Sequence, residues 1–418
     1  MMIFLFYQLF LIILLPIYPL IIFYRIIKKK ENKASFQEKL CFFSRFRKPG
    51  KLIWFHASSV GELMSILPII HYYENKKFVN QILITTSTLS SGKILKKFKF
   101  KKTVHQFFPI DIIFLSKRFL NYWKPSIAVF IESEIWPSMF KSINNKKIPL
   151  ILLNARVTKK TFKRWNKIKD FSFSIFNNIS FAYPQNIETF KFLIKLKVKI
   201  VKLIGNLKYI QNPYDKKMIL NNTLRSQFKK YKIWVAASTH HNEEVLCAEA
   251  HIILKQKIGD LITIIIPRHI ERIDKIYSEL KKKNLNIVLH SSKPKNLKNI
   301  DIYLVDVYGE SKNFYKISNT VFLGGSLINR GGQNPLEPAR YGAKILTGKN
   351  IKNFEDIYKF LNSIGISKII NNPKKIANSI VFKPTKSKTN KIKELGKEIM
   401  RKTTIEIDTI LNNAIKET

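Results

Sequence analysis

The chain has 418 residues, 45% of them hydrophobic, which supplies large cores, excludes global disorder and, at roughly 150 residues per domain, suggests two or three domains. Lys and Arg number 74 against 28 acidic residues, a formal charge of +46 that favours an anionic membrane face, phosphorylated substrates or nucleic acid. The excess is mostly Lys scattered among Asn and Ile, which plain compositional bias also produces. The two cysteines, Cys41 and Cys247, make no zinc spacing and no disulfide framework, as expected of a reduced, cytosolic body.

Residues 1–24 carry no charge, and Arg25 and Lys28-Lys29-Lys30 follow. This is the only long uncharged stretch, which excludes a multi-span membrane protein. As a helix it reaches about 36 Å, enough for a bilayer core of about 30 Å. A cleaved signal peptide starts with basic residues and ends at small ones; here the basic residues come last and no such site follows. Segment 1–27 therefore reads as a retained anchor, with the positive charge behind it keeping the body in the cytoplasm. Pro16 and Pro19 leave a kinked or interface-lying segment as the alternative.

Beyond the anchor, short apolar runs alternate with longer mixed segments. Strands are expected at 52–56, 81–86, 126–131, 149–153 and 180–183, with helices starting near Glu62, Gly92, Ile112 and Thr161. The rhythm restarts after Asn212-Pro213, with strands at 233–237, 261–267, 286–289, 302–305, 320–323 and 344–346. Helices follow near Glu243, Glu271, Glu310, Glu337 and Phe354. A βαβ rhythm implies parallel sheets covered on both faces. The simplest account is an α/β chain with two doubly wound halves, 28–210 and 211–418, the second ending in a Lys-rich helical tail from Lys374. Ligands of such sheets bind beyond the strand C-termini, so chemistry is expected at the strand-to-helix junctions.

The first junction reads His56-Ala57-Ser58-Ser59-Val60-Gly61-Glu62. A carboxylate there can act as general base on a hydroxyl; Ser59-x-x-Glu62 is equally a capping box. After the strand at 126–131 come Glu132-Ser133-Glu134-Ile135-Trp136-Pro137. Its two carboxylates suit holding a sugar hydroxyl or stabilising developing positive charge, or serve as plain loop acids beside a packing Trp. Asn154-Ala155-Arg156 and Gly205-Asn206-Leu207-Lys208 each set a base beside a turn. With so many basic residues in the chain, each is weak evidence for an anion site. Pro267 ends an apolar strand and sets Arg268 at the junction, where a guanidinium suits phosphate.

The strongest local pattern is Gly324-Gly325-Ser326 followed by Arg330-Gly331-Gly332-Gln333-Asn334-Pro335-Leu336-Glu337-Pro338. Glycines let backbone N–H groups approach an anion closely. Asn334 reads as an N-cap and Pro335 as the first helical residue, which aims a helix N-terminus at phosphate. Glu337 suits a ribose diol, or merely the helix dipole, and Tyr308-Gly309-Glu310 opens another helix toward the same region. There is no G-x-G-x-x-G, no G-x-x-x-x-G-K-[ST], no H-E-x-x-H and no D-x-D. That argues against dinucleotide, P-loop and metal-dependent phosphate sites.

At these junctions the chain resembles the 3-deoxy-D-manno-octulosonic acid (Kdo) transferases of lipopolysaccharide assembly. The matching stretches are 56–62, 131–137, Asn154-Ala155-Arg156, 205–208, 236–240, Pro267-Arg268-His269, 324–326, 330–338 and Asn353-Phe354-Glu355-Asp356. They fall in the family's order over about residues 38 to 357. The resemblance implies a GT-B glycosyltransferase, two Rossmann-like domains facing a cleft, the first on the acceptor side and the second binding a CMP-sugar. It implies inverting, metal-independent transfer of Kdo from CMP-Kdo to the lipid A precursor, with no cofactor. By that likeness Glu62 is the base, Glu132 and Lys208 stabilise the transition state, and Pro267, Arg268, Tyr308, Gly309, Glu310, Asn334, Pro335, Leu336 and Glu337 bind CMP. Tyr308 and Ser311 stand where bulkier aliphatic residues are usual in the family. The anchor then belongs in the inner membrane among its lipids, and no specific nucleic acid is expected. The alternatives are a GT-B enzyme with another nucleotide sugar and a basic nucleic-acid-binding protein, for which no recognisable module is present.

Overall fold

Runs of Leu, Ile, Val and Phe too short for a helix become strands, and burial on both faces explains why those runs are continuous rather than alternating. The structure, a computed structural model, describes residues 2–28, 31, 33–211, 220–383 and 386–416. Lys29, Lys30 and the Asn212-Pro213 break lie outside them. The chain divides into two compact units, residues 1–214 with 395–418, and residues 215–394.

Among the described residues the first unit holds a seven-stranded parallel sheet. Its strands are β1 (Leu52–His56), β2 (Gln81–Thr86), β3 (Thr103–Phe107), β4 (Ile127–Ile131), β5 (Leu150–Ala155), β6 (Phe181–Pro184) and β7 (Ile200–Val201). They lie in the order β3-β2-β1-β4-β5-β6-β7. Every residue of β1 and β4 is buried. Trp54 of β1 sits opposite Leu83 and Ala128, with its ring 4.8 Å from Phe119 and 5.1 Å from Phe130.

The second unit repeats the plan with β8 (Lys232–Thr239), β9 (Leu261–Pro267), β10 (Ile287–Leu289), β11 (Ile302–Leu304), β12 (Thr320–Leu323), β13 (Lys344–Thr347) and β14 (Ser367–Ile369). Its parallel order is β10-β11-β9-β8-β12-β13-β14. Each sheet has a neighbouring pair from which the chain runs off to opposite sides, β1/β4 and β8/β12; in the second sheet β10 also lies outside β11. Connections leave such a pair in opposite directions, which opens a crevice beyond the strand ends. The strands that the apolar pattern missed are β3, β7 and β14, all at sheet edges. An edge strand has less to bury, and Thr103-Val104-His105-Gln106-Phe107 is polar accordingly.

The N-terminal stretch is bent. Helices Met2–Leu14 and Tyr18–Ile27 are joined by a 3-10 turn, Leu15–Ile17, that contains Pro16. Together Met2–Ile27 are long and apolar enough to cross a membrane, and only 6% of the apolar window is buried. One face of the first helix nonetheless rests on the first unit. Tyr7 Oη donates to Asp111 Oδ2 at 2.8 Å, Gln8 Nε2 donates to Ser138 Oγ at 2.5 Å, and Ile113 N–H donates to Gln8 Oε1 at 3.0 Å.

The C-terminal tail departs from the expectation that it belongs with the second half. In the helix Lys386–Lys416, residues from Leu395 onward are part of the first unit. Ile399, Thr403, Ile407 and Leu411 recur every fourth residue and are buried, an apolar stripe that the abundant Lys obscured. Tyr73 Oη donates to Asp408 Oδ1 at 2.8 Å and Tyr183 Oη to Glu406 Oε2 at 2.7 Å. At Gly396 an added Cβ would stand 2.3 Å from the Tyr209 carbonyl oxygen. Gly to Ala inside a helix ordinarily gains about 1 kcal/mol. Here the collision wins: Gly396→Ala should lose about 1–3 kcal/mol, seen as a lower urea midpoint by tryptophan fluorescence. A raised midpoint would show that the tail does not lie against residue 209.

Candidate functional site

In the first unit the candidate residues gather where β1, β4 and β5 end. Ser59 caps the helix Val60–Glu74, its Oγ accepting the Glu62 N–H at 3.3 Å. The Glu62 carboxylate turns back on the same turn: Oε2 accepts the Ser58 N–H at 2.8 Å and Oε1 accepts the Ser59 hydroxyl at 3.1 Å. The capping box is therefore real, with Ser58 rather than Ser59 supplying the reciprocal N–H.

β4 ends in a kink. Glu132 has φ 56°, a left-handed conformation that costs a non-glycine residue roughly 1–2 kcal/mol. Two backbone bonds pin it: Glu132 N–H to Leu153 O at 3.0 Å, and Arg156 N–H to Glu132 O at 3.1 Å. The kink brings Glu132 Oε1 to 3.1 Å from Lys208 Nζ. Asn154, also left-handed with φ 53°, donates from Nδ2 to Glu132 Oε1 at 3.4 Å and accepts the Leu207 N–H at 3.0 Å. Asn206 Oδ1 takes the Lys208 N–H at 2.9 Å and so caps the short turn that carries the lysine. The asparagines of the two basic motifs thus place the Glu132–Lys208 pair.

Glu134, the second of the two loop carboxylates, and His56, for which the sequence suggested no role, complete the cluster. Glu134 Oε2 accepts from His56 Nε2 at 3.2 Å and from Trp136 Nε1 at 3.0 Å. His56, fully buried at the end of β1, meets Thr85 Oγ1 through Nδ1 at 2.9 Å. Burial holds His56 below the usual imidazole range, with Glu134 pulling the other way. Burial first, then the charges of Glu134 and Glu132, raise the Glu62 carboxyl to about 7, against the hydrogen bonds from Ser58 and Ser59. A carboxyl so poised can take a proton from a hydroxyl near neutral pH. The signal for His56 was weak, because one histidine in an apolar run reads as core.

In the second unit the glycine-rich turn does something other than expected. Gly325 N–H donates to Glu243 Oε2 at 2.7 Å, and the Ser326 and Leu327 N–H groups donate to Glu243 Oε1 at 3.1 and 3.0 Å. His240 N–H adds a fourth bond to Oε2 at 2.9 Å. These N–H groups do not wait for an outside anion; they hold the chain's own fully buried carboxylate. β8 and β12 are neighbours, and the helix Glu243–Lys255 starts between their ends, so Glu243 is already there. A Cβ at Gly324 would lie 2.4 Å from Ser238 O and 2.7 Å from Glu243 Oε2, which is why the turn needs glycine.

The other candidates line the same edge. Pro267 ends β9, and Arg268 N–H donates to Thr239 O at 3.0 Å, leaving the Arg268 side chain exposed beside exposed His269. The His240 and His269 rings are 5.7 Å apart, and burial, His269 and Arg330 together hold His240 below the imidazole range. Arg272 forks onto buried Glu244 at 3.0 and 3.2 Å. This is a cationic patch suited to phosphate or carboxylate. Tyr308 Oη donates to Glu271 Oε1 at 3.0 Å, Gly309 takes φ 93°, and Glu310 Oε2 accepts Asn313 Nδ2 at 2.5 Å. Asn334 Oδ1 accepts the Leu336 N–H at 3.1 Å; Pro335 precedes the helix Leu336–Arg340, Leu336 is buried, and Glu337 pairs with Lys312 at 3.0 Å.

The model of the family described as 3-Deoxy-D-manno-octulosonic-acid transferase (kdotransferase) matches residues 34–211. A 3-deoxy-D-manno-octulosonic acid transferase from Rickettsia bellii is 34% identical over 349 residues, 83% of this chain and 82% of that protein. One from Haemophilus influenzae is 31% identical over 316 residues, 75% of this chain and 74% of that protein. Among solved structures, a UDP-GlcNAc 2-epimerase from Neisseria meningitidis superposes with TM-score 0.57 at 11% identity, covering 87% of this chain and 100% of that one. A glycosyltransferase from Rickettsia africae gives 0.55 at 13%, covering 88% and 100%. At such identities the likeness is one of fold, and the two Rossmann-like units are GT-B-like.

Glu243→Gln leaves four N–H donors facing one acceptor oxygen and an amide NH2. Loss of a hydrogen-bonded buried charge should cost about 3 kcal/mol. Amide exchange at residues 325–327, read by mass spectrometry after peptic digestion, should speed by about tenfold or more; unchanged protection would mean that Glu243 is not their acceptor.

Proposed function

The chain belongs to the 3-deoxy-D-manno-octulosonic acid (Kdo) transferase family and is a glycosyltransferase, and we propose that it moves Kdo from CMP-Kdo onto a hydroxyl of the lipid A precursor, with inversion and without a metal. The observation that carries this reading is a carboxyl raised to about 7, Glu62, beside the Glu132–Lys208 ion pair. A sugar hydroxyl is a poor nucleophile, and a base of matched proton affinity is what its transfer requires. As the acceptor oxygen bonds to the anomeric carbon, Glu62 takes the hydroxyl proton, and the bond from that carbon to the CMP phosphate oxygen breaks. Glu132 faces the positive charge that develops on the sugar, and Lys208 offsets negative charge on the departing phosphate.

The second unit carries the donor in this reading. Arg268 is exposed at the end of β9, with His269 and Arg330 in the same cationic patch, which suits a phosphate monoester leaving group. Pro267, the turn 308–310 and residues 334–337 line that edge and would hold the cytidine part. The apolar stretch Met2–Ile27, with Arg25 and Lys28 at its end, supports attachment to the inner membrane with the body on the cytoplasmic side. An amphiphilic acceptor is then met where it resides.

The direct test incubates purified protein with CMP-Kdo and lipid IV-A and resolves products by mass spectrometry, with UDP- and GDP-sugars as the control donors. Glu62→Gln should lower kcat by about 10²–10⁴-fold with CMP binding intact; near-parent turnover by a folded variant rejects the base assignment. Because Glu62 must be ionised to accept a proton, kcat/KM in the parent protein should fall about tenfold per unit below pH about 7. Arg268→Ala should weaken CMP by about 1.5–3 kcal/mol, the scale of a lost charged hydrogen bond, and an unchanged calorimetric titration would remove Arg268 from the donor site.

A further inference from the structure

The mechanism above gives no part to Glu134 or His56, yet both are built into the β1/β4 crevice with care. Glu134 follows the kinked Glu132 by two residues, and its side chain is 18% exposed. Two neutral N–H donors converge on one of its oxygens, His56 Nε2 at 3.2 Å and Trp136 Nε1 at 3.0 Å. His56 has no freedom to do otherwise. Its ring lies 4.0 Å from that of buried Phe108, 5.0 Å from that of buried Phe130 and 6.0 Å from that of half-buried Trp136. Behind it, Thr85 Oγ1 accepts from Trp54 Nε1 at 2.9 Å and meets His56 Nδ1 at 2.9 Å. An ionised carboxylate can only accept, so it is Nε2 that carries the hydrogen Glu134 receives.

Among the described residues no Lys or Arg forms an ion pair with Glu134, so no fixed cation offsets its carboxylate. The charged groups that act on Glu62 are Glu134 and Glu132 from the loop after β4. Lys208 sits on Glu132 at 3.1 Å; His56, from β1, reaches Glu62 only through Glu134.

We infer that Glu134, fixed by His56 and Trp136, is a positioning residue for the base: it keeps an unneutralised anion beside Glu62 and so makes Glu62 a stronger proton acceptor in the neutral range. The inference rests on the reading of Glu62 as the base of Kdo transfer. Glu134 accepts from His56 at the end of β1, and Glu62 accepts the N–H of Ser58 two residues further on, so both carboxylates sit at the same strand end; burial and the Glu134 charge are the two largest causes that raise Glu62.

The experiment is the pH dependence of kcat/KM for the full chain with CMP-Kdo and lipid IV-A, from pH about 5.5 to about 9, a range that brackets the expected base. Removing an anion next to an acid lowers that acid's pKa, so Glu134→Gln should move the acid limb down by about half to one unit. A weaker base is also slower, so the plateau should fall about three- to tenfold. His56→Leu withdraws the buried donor and should shift the limb the same way, while His56→Gln, whose amide can reach Glu134, should bring it back toward the parent position. If His56→Leu does not fold, Glu134→Gln, a change of charge without shape at a partly exposed site, carries the test alone. A merely structural role would lower the rate and leave the limb where it is, and that result, or a limb that rises, overturns the inference. Absence of any product from the parent protein would instead overturn the transfer reading.

Discussion

Each of the two parallel sheets has a pair of neighbours, β1/β4 and β8/β12, from which the chain runs off to opposite sides, and what the chain places in that crevice governs the rest of the molecule. At β1/β4 it places three carboxylates and one lysine. At β8/β12 it places one carboxylate and four backbone N–H groups. Burial and the charges of Glu134 and Glu132 together raise the proton affinity of Glu62. A lone carboxylate with four donors is fully satisfied and serves as a fastening, which is the state of Glu243. The same topology therefore yields one poised crevice and one plugged crevice, and the second unit presents its cations on the rim instead.

Backbone strain follows the crevices. Glu132 and Asn154 in the first unit, and Ser238 and Asn242 in the second, all take positive φ close to strand ends. The registers of β5 with β6 and of β8 with β9 slip at Asn154 and at Ser238. These conformations persist because neighbouring backbone bonds over-determine them, and they aim side chains that a regular strand would send into the core. The apolar N-terminal helix is tied into the same framework. Asp111, which accepts from Tyr7, also accepts the N–H groups of Ser138 and Met139 at 3.0 and 2.9 Å. Those residues open the helix Pro137–Asn145, immediately after the loop that carries Glu132 and Glu134.

Much of this was legible in the residues. Strands buried on both faces announce themselves as unbroken apolar runs, and β1, β2, β9 and β12 fall where the runs stand. β3 and β14 did not, because an edge strand has fewer neighbours and tolerates polar residues, and β7, only two residues long, is too short to announce itself. Glu62, Glu132 and Lys208 could be singled out by their place after strands. His56 could not, because its partner Glu134 is 78 residues away and nothing local separates it from a core histidine. The tail was misassigned because lysines dominate its composition, while the buried stripe at 399, 403, 407 and 411 speaks only through its spacing of four.

The sequence by itself determined the class of fold, the junctions where chemistry collects and the family likeness, because each of these depends on short-range pattern: apolar run length, turn residues and motif order. Only the tertiary structure decided that the glycine turn embraces Glu243, that His56 and Trp136 hold Glu134, and that the last helix returns to the first unit. Hydrogen-bond partners and electrostatic neighbours are set by distance in space, and a parallel sheet brings together strand ends that the intervening helices keep dozens of residues apart along the chain.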